Sequence, residues 1–247
     1  MKDDLEKLST MDPSDSMEDT LKTIMKVLEG LPSDKEGKRK ALDIISEKEN
    51  AVREYYLRPL DSDEVYVTLA GIHDEIGNKE KAGLCRRCID MREARKCTIM
   101  GDSYSLMGIN SRAVEYLQKA LELGPAEDLV DEIERTLLKA EKRVSKAGDE
   151  LDILLMKLKK DPTHNKNLLK AVCHLIDLDR FDQALETADS GLKVYKDDPD
   201  LLFRKGCAYF GKNDRISAME IFGPLLKTNP SSNNYKRAVN LCRDLPQ

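Results

Sequence analysis

The fold of this chain is decided by the stretch GINSRAVEYLQKALELGP at residues 108–125. It has the pattern of a turn, an amphipathic helix and a proline that ends the helix. The pattern returns at residues 213–230 as NDRISAMEIFGPLLKTNP, and a third copy begins at Arg180. Ala218 lies 34 residues (218 − 184) after Ala184, the equivalent small residue of the third copy. A fixed period of this length indicates a helical repeat array, in which neighbouring helix pairs share one core.

The composition favours long solvated helices. Charged residues make up 35% of the 247 residues, aromatic residues only 5%, and Trp is absent. Acidic residues number 46 and basic residues 41, and the two signs are interleaved, so we expect no general nucleic-acid binding. No apolar run approaches the roughly 20 residues of a membrane-spanning helix.

Cellular location is inferred from the first residues and from the cysteines. The opening MKDDLEKL is charged and lacks the apolar core of a signal peptide. The six cysteines are scattered through a chain too large to need disulfides for stability. We therefore predict a cytoplasmic protein with reduced cysteines and with no membrane partner.

Helix-breaking residues such as Pro59 and Pro162 divide the chain into six predicted segments. Separate helices are expected on either side of residues 90–92 and on either side of Gly148. The segments are a flexible leader at 1–16, an N-terminal helical hairpin at 17–62, repeats at 63–125, a degenerate or extended repeat at 126–162, repeats at 163–232 and a C-terminal capping helix at 233–247.

Two of the copies resemble the tetratricopeptide (TPR) repeat family. In that family a large apolar residue, a small residue and a tyrosine recur on the first helix of each pair. Small and large residues then alternate on the second helix, which a proline closes. These positions hold Cys97, Gly101, Tyr104, Ala113, Leu117, Ala120 and Pro125 in one copy, and Leu202, Gly206, Tyr209, Ala218, Phe222, Leu225 and Pro230 in the other. The resemblance covers roughly residues 63–232.

The resemblance implies an all-α fold, a right-handed solenoid of antiparallel helix pairs with atypical N-terminal helices. It also implies a non-enzymatic protein–protein interaction scaffold without a cofactor. Packing explains the small positions, because paired helices would cross closely there and a larger side chain would cost about 1–3 kcal/mol. The residues expected at such crossings are Gly101, Gly206, Ala113, Ala184 and Ala218.

By the same resemblance, the concave surface lined by first helices would bind a peptide or helix segment of a protein partner. The predicted partner-binding residues are Lys166, Leu169, Lys170, Phe203, Arg204 and Phe210. Basic and apolar side chains together suit a segment carrying acidic and apolar residues. The alternative is that the basic residues form a solvated edge and that the terminal helix covers the two phenylalanines. A carboxylate clamp, as some TPR domains use on chaperone tails, is not expected because its asparagines are missing.

An alternative function, a metal- or redox-responsive regulatory protein, would use Cys85, Cys88 and Cys97. The first two share a helix face, and the neighbouring Arg86 and Arg87 would lower a thiol pKa. A structural zinc site needs four ligands, and the sequence has no second Cys-x-x-Cys. Cysteines that pack in the core are therefore the favoured interpretation.

No enzyme activity is predicted. Cys173 and His174 are adjacent, and adjacent helical residues do not face each other. The sequence has no Gly-rich phosphate loop, no His-Glu-x-x-His and no Gly-x-Ser-x-Gly elbow. Self-association through the ends of the array, giving a homo-oligomer, is a further hypothesis about partners.

Overall fold

The structure, a computed structural model, describes residues 2–12, 16–56 and 62–244. The described residues form helices joined by short turns and contain no strand. The helices are α1 Lys2–Thr10, α2 Met17–Glu29, α3 Lys35–Tyr56, α4 Asp63–Glu75, α5 Lys79–Met107, α6 Asn110–Glu122, α7 Glu127–Lys160, α8 Asn165–Asp177, α9 Phe181–Val194, α10 Pro199–Gly211, α11 Arg215–Thr228 and α12 Asn233–Asp244. From α6 to α12 each helix packs against the next in series. The predicted all-α fold is confirmed.

The chain divides into two compact units, residues 1–93 and 94–247, and the division lies inside α5. In the first unit α1 packs on α2 and α3, and α2 also contacts α4. Its apolar core includes the buried side chains of Ile24, Ile45 and Tyr66. The second unit has a separate core, to which every helix from α6 to α12 contributes.

Helix α1 lies within the segment that was expected to be a flexible leader. Leu8 is fully buried in the core of the first unit, and Leu5 and Met11 pack against the same core. Leu5 and Leu8 lie three residues apart and therefore on one side of α1, and Met11 follows directly after its end. Residues 13–15 of the expected leader and residues 57–61 of the expected hairpin lie outside the described residues.

Close helix crossings in the second unit occur at the predicted small residues. A Cβ atom at Gly101 would lie 2.5 Å from Leu117 Cγ, and one at Gly206 would overlap the ring of Phe222. Helix α5 therefore meets α6 in the same way that α10 meets α11. The three small alanines are also fully buried, namely Ala113, Ala184 and Ala218. The packing reason predicted for these positions is confirmed at Gly101 and Gly206.

Two long helices replace pairs of shorter helices expected from the repeat. Helix α5 runs for 29 residues, through residues 90–92, because that stretch has no Gly or Pro to break it. Helix α7 runs for 34 residues, through Gly148. The buried residues Ala147 and Leu151 continue the apolar stripe of α7 across that glycine. Gly148 lowers helix stability by about 1 kcal/mol without ending the helix.

Candidate partner-binding surface

Helices α8 and α10 carry the predicted partner-binding residues, and they pack directly on each other. Helix α8 begins after His164, whose ring accepts a hydrogen bond from the backbone N–H of Asn167 at 3.3 Å. Helix α10 begins after Asp198, whose carboxylate accepts from the backbone N–H groups of Asp200 and Leu201. These caps fix where each helix starts, and therefore which side chains face outward.

The basic residues of α8 lie on an exposed face. Lys166 and Lys170 are exposed one helical turn apart, and Leu169 beside them is half-buried. Lys170 Nζ lies 2.7 Å from Glu150 Oε2 on α7. The hydrogen bond from Lys170 lowers the pKa of Glu150 to about 2, and His174 Nε2, 3.3 Å from the same oxygen, acts in the same direction. Glu150 is therefore ionised near neutral pH and pairs with Lys170.

The two phenylalanines expected on this surface are buried. Phe203 is 9% exposed, and its ring lies 5.5 Å from the ring of Phe222 and 5.6 Å from that of Tyr235. Because Tyr235 belongs to α12, the terminal helix covers Phe203, as the alternative interpretation proposed. Phe210 is 2% exposed, and its ring lies 5.6 Å from that of Tyr104 on α5. Both rings belong to the core of the second unit.

Arg204 connects α10 to the end of α5. Its Nη1 donates a hydrogen bond to the backbone carbonyl of Met107 at 3.3 Å, and its guanidinium carbon lies 5.6 Å from the centre of the Phe203 ring. A Cβ atom at Gly108 would lie 2.8 Å from that Nη1, and Gly108 has a φ of +73°. Both the close approach and the left-handed backbone favour glycine there. Arg204 is half-buried, and its first role is to hold this turn in place.

The turn between α5 and α6 also makes polar contacts with the C-terminal end of α8. Asn110 Nδ2 donates to Asp177 Oδ1 at 2.6 Å, and Ser111 Oγ donates to Asp179 Oδ1 at 2.5 Å. Arg112 Nε lies 3.5 Å from Asp179 Oδ2. Burial raises the pKa of Asp177, and the hydrogen bond from Asn110 opposes that rise. The start of α6 therefore covers the C-terminal end of α8.

Sequence reasoning missed these contacts because they join residues far apart in the chain. Asn110 and Asp177 are separated by 67 positions. The repeat pattern marks residues that pack within a helix pair or against the next pair, and neither of these two residues holds such a position. A short polar residue at the start of α6 is also typical of a helix N-terminus. The presence of Asn110 therefore did not indicate a contact with a distant helix.

The cysteines proposed for metal or redox chemistry belong to the two cores. Cys85 and Cys88 pack in the core of the first unit, whereas Cys97 is buried in the core of the second. Burial raises the pKa of the Cys85 thiol to about 11, opposite to the expected effect of its arginine neighbours. Arg86 forms an ion pair with Asp74. Within residues 2–12, 16–56 and 62–244, no group of three or more His, Cys, Asp or Glu side chains could hold a metal ion.

His174 lies close to the carboxylates of two acidic residues. His174 Nε2 faces Glu150, and His174 Nδ1 lies 4.0 Å from Asp177 Oδ2. Burial raises the pKa of the Cys173 thiol, which keeps it protonated near neutral pH. The polar contacts of His174 are therefore with Glu150 and Asp177.

None of the helices in the described part of the chain has the length and apolar character needed to cross a membrane. Neither the models of known protein families nor the curated proteins include a match to this chain.

Proposed function

We propose that this chain is a non-enzymatic scaffold that binds a peptide or helix segment of a partner protein. The binding surface is the face of α8 that carries Lys166, Leu169 and Lys170, and Arg204 of α10 borders it. The helices of residues 94–247 belong, in this proposal, to a TPR-like right-handed solenoid. The equivalent crossings at Gly101 and Gly206 and the 34-residue spacing from Ala184 to Ala218 support that assignment.

One observation carries the proposal: two exposed ammonium groups lie one turn apart beside a half-buried leucine. A partner segment with acidic and apolar side chains would pair with Lys166 and Lys170 and cover Leu169. Lys170 is already paired with Glu150. A partner carboxylate therefore replaces Glu150 at Lys170, and binding is weaker than it would be to an unpaired lysine.

The test compares a variant with a matched control of equal charge. The double variant Lys166→Glu with Lys170→Glu removes both cations from the α8 face. The control reverses Lys193 and Lys196, which are exposed at the end of α9. Each protein is immobilised, incubated with lysate of the native host and crosslinked, and the captured proteins are identified by mass spectrometry.

We expect at least one protein to be captured by the unaltered chain and by the control but lost from the α8 variant. All three chains should melt at similar temperatures, because exposed ion pairs contribute only about 0–1 kcal/mol. Identical capture by the α8 variant and the unaltered chain would rule out this face as the binding surface. Charge reversal at Arg204 is unsuitable here, because it would remove the hydrogen bond to Met107 and destabilise the fold.

A further inference from the structure

An open, mostly apolar cleft of about 640 Å³ lies between helices α7, α8 and α9. Leu155, Met156 and Leu158 of α7 line it, and Leu168 of α8 lines it from the other side. A volume of this size lies in the range of binding clefts in proteins. Its walls are mostly apolar, so it offers a place to bury the apolar side chains of a ligand.

Met156, which lines the cleft, and its neighbour Ile153 expose large apolar side chains. Met156 is 63% exposed and Ile153 is 55% exposed. They lie three residues apart on α7 and are therefore neighbours on one face of the helix. Single exposed apolar residues are common, but a pair beside an apolar cleft is typical of a binding surface. Methionine also adapts its shape to different partners.

The two ends of the cleft along α7 carry opposite charges. Lys159 lines its C-terminal end, and Lys157 and Lys160 lie in the same last turn of α7. Asp152 lines the cleft about 10 Å earlier along the helix axis. The C-terminus of α7 also carries the negative end of its helix dipole. A helix lying antiparallel to α7 would bring its own positive N-terminus to this end.

We propose that this cleft binds an amphipathic helix of a partner protein, antiparallel to α7. The apolar face of that helix covers Met156 and Ile153 and fills the cleft. Acidic side chains in its first turn pair with Lys159, and a basic side chain near its other end pairs with Asp152. Acidic residues at the start of a helix and basic residues at its end are the arrangement that the helix dipole itself favours.

This surface is separate from the one in the proposed function. Leu168 lies about 200° around α8 from both Lys166 and Lys170, because each residue turns the helix by about 100°. The cleft and the basic face are thus on opposite sides of α8. A variant on one side leaves the other intact, so the two proposals can fail independently.

The test uses two synthetic peptides of about 18 residues, long enough to form a helix when stapled. Both carry leucines on one face and have the same composition. One has glutamates in its first turns and lysines in its last turns, and the other has these blocks exchanged. Fluorescence anisotropy measures the affinity of each peptide for the full chain, and circular dichroism checks that both are equally helical.

We expect the peptide with glutamates first to bind about tenfold tighter than its exchanged counterpart. Lys159→Glu should remove that preference, whereas Lys142→Glu, an exposed change nearer the middle of α7, should keep it. Met156→Glu should abolish binding of both peptides. Ile216→Glu should leave binding unchanged, because Ile216 is 77% exposed on α11 and outside the cleft.

Several outcomes would overturn the proposal. These are equal affinity for the two peptides, undetectable binding of both, or unchanged binding by Met156→Glu. Sedimentation of the full chain alone provides a further outcome of this kind. If the chain formed a dimer that Met156→Glu dissociated, the cleft would bind a second copy of this chain. Because Met156 is exposed, its substitution should leave the melting temperature within a few degrees of the original.

Discussion

Gly206 lies where α10 crosses α11, and a Cβ atom there would overlap the ring of Phe222. Phe222 is fully buried, so its ring has no open space to move into. We expect Gly206→Ala to lower the free energy of unfolding by up to about 2 kcal/mol. Overpacking costs more than the roughly 1 kcal/mol of helix propensity that alanine adds. Urea unfolding followed by circular dichroism measures the change.

Gly148 on α7 provides the matched control, because a Cβ atom there would meet no other atom within 4 Å. Gly148→Ala should raise the free energy of unfolding by about 0.5–1 kcal/mol, through helix propensity and a less flexible unfolded chain. The same substitution is thus expected to act with opposite sign at the two sites. A stabilising effect at Gly206 would contradict a close crossing there.

At the level of single residues, the sequence predicted the small positions better than the aromatic ones. Gly206 holds the same repeat position as Gly101 in another copy. A glycine that recurs in this way has few explanations besides close packing of backbones. Phe203 and Phe210 fit a groove and a core equally well by sequence. Their burial depends on Tyr235 and Tyr104, which come from other helices. The basic residues Lys166 and Lys170 were predictable because charged side chains rarely pack in a core.

Among the helices, the unbroken course of α7 is the feature most open to a direct test. Residue 149 would be the first position of a new helix if α7 ended at Gly148, and proline is favoured at such a position. Inside a continuous helix, proline removes a backbone hydrogen bond and clashes with the preceding turn. Asp149→Pro is therefore expected to lower the free energy of unfolding by about 3 kcal/mol. Urea unfolding again provides the measurement.

Glu127→Pro is the control, since Glu127 is the first residue of α7. Proline fits that position, so we expect a change below about 0.5 kcal/mol. If Asp149→Pro were tolerated as well as Glu127→Pro, α7 would contain the break that the repeat pattern suggested.

Helix boundaries were predictable where a breaking residue and a change in periodicity coincide. Pro125 and Pro162 lie in the turns that precede α7 and α8. The break expected at Gly148 had only the glycine as a signal, and the one expected at residues 90–92 had no Gly or Pro at all. Both breaks were inferred from an assumed repeat period, and the apolar stripe of α7 continues across Gly148. Local helix propensity, added over a long segment, outweighed the single glycine.

At the scale of the whole molecule, both proposed binding surfaces lie along α8, on opposite faces of the helix. One face carries exposed basic residues, and the opposite face borders the apolar cleft. Between them, the C-terminal end of the helix is held by Asn110 through Asp177. The sequence indicated the first face through its lysines. It could not indicate the cleft, because Met156 and Leu168 come together only after α7 and α8 pack.

Helix α12 packs on α11 at the end of the series, and we expect this cover to limit association between chains. Tyr235 lies against Phe203, and Val239 is buried in the core of the second unit. Terminal helices of repeat arrays keep the core from water and from other copies. Val239→Asp places a charge in that core and is expected to detach α12 and expose apolar surface. Sedimentation at several concentrations should then give a mass above the 28.0 kDa of one chain.

Asn240→Asp is the control, because Asn240 is exposed on the same helix and gains the same charge. It should sediment like the unaltered chain at every concentration. Circular dichroism separates detachment of α12 from global unfolding, since loss of α12 alone removes only a small part of the helical signal. If Val239→Asp kept its helical signal and sedimented as one chain, α12 would not be what prevents self-association. A concentration-dependent mass in the unaltered chain would instead support association through the ends of the array.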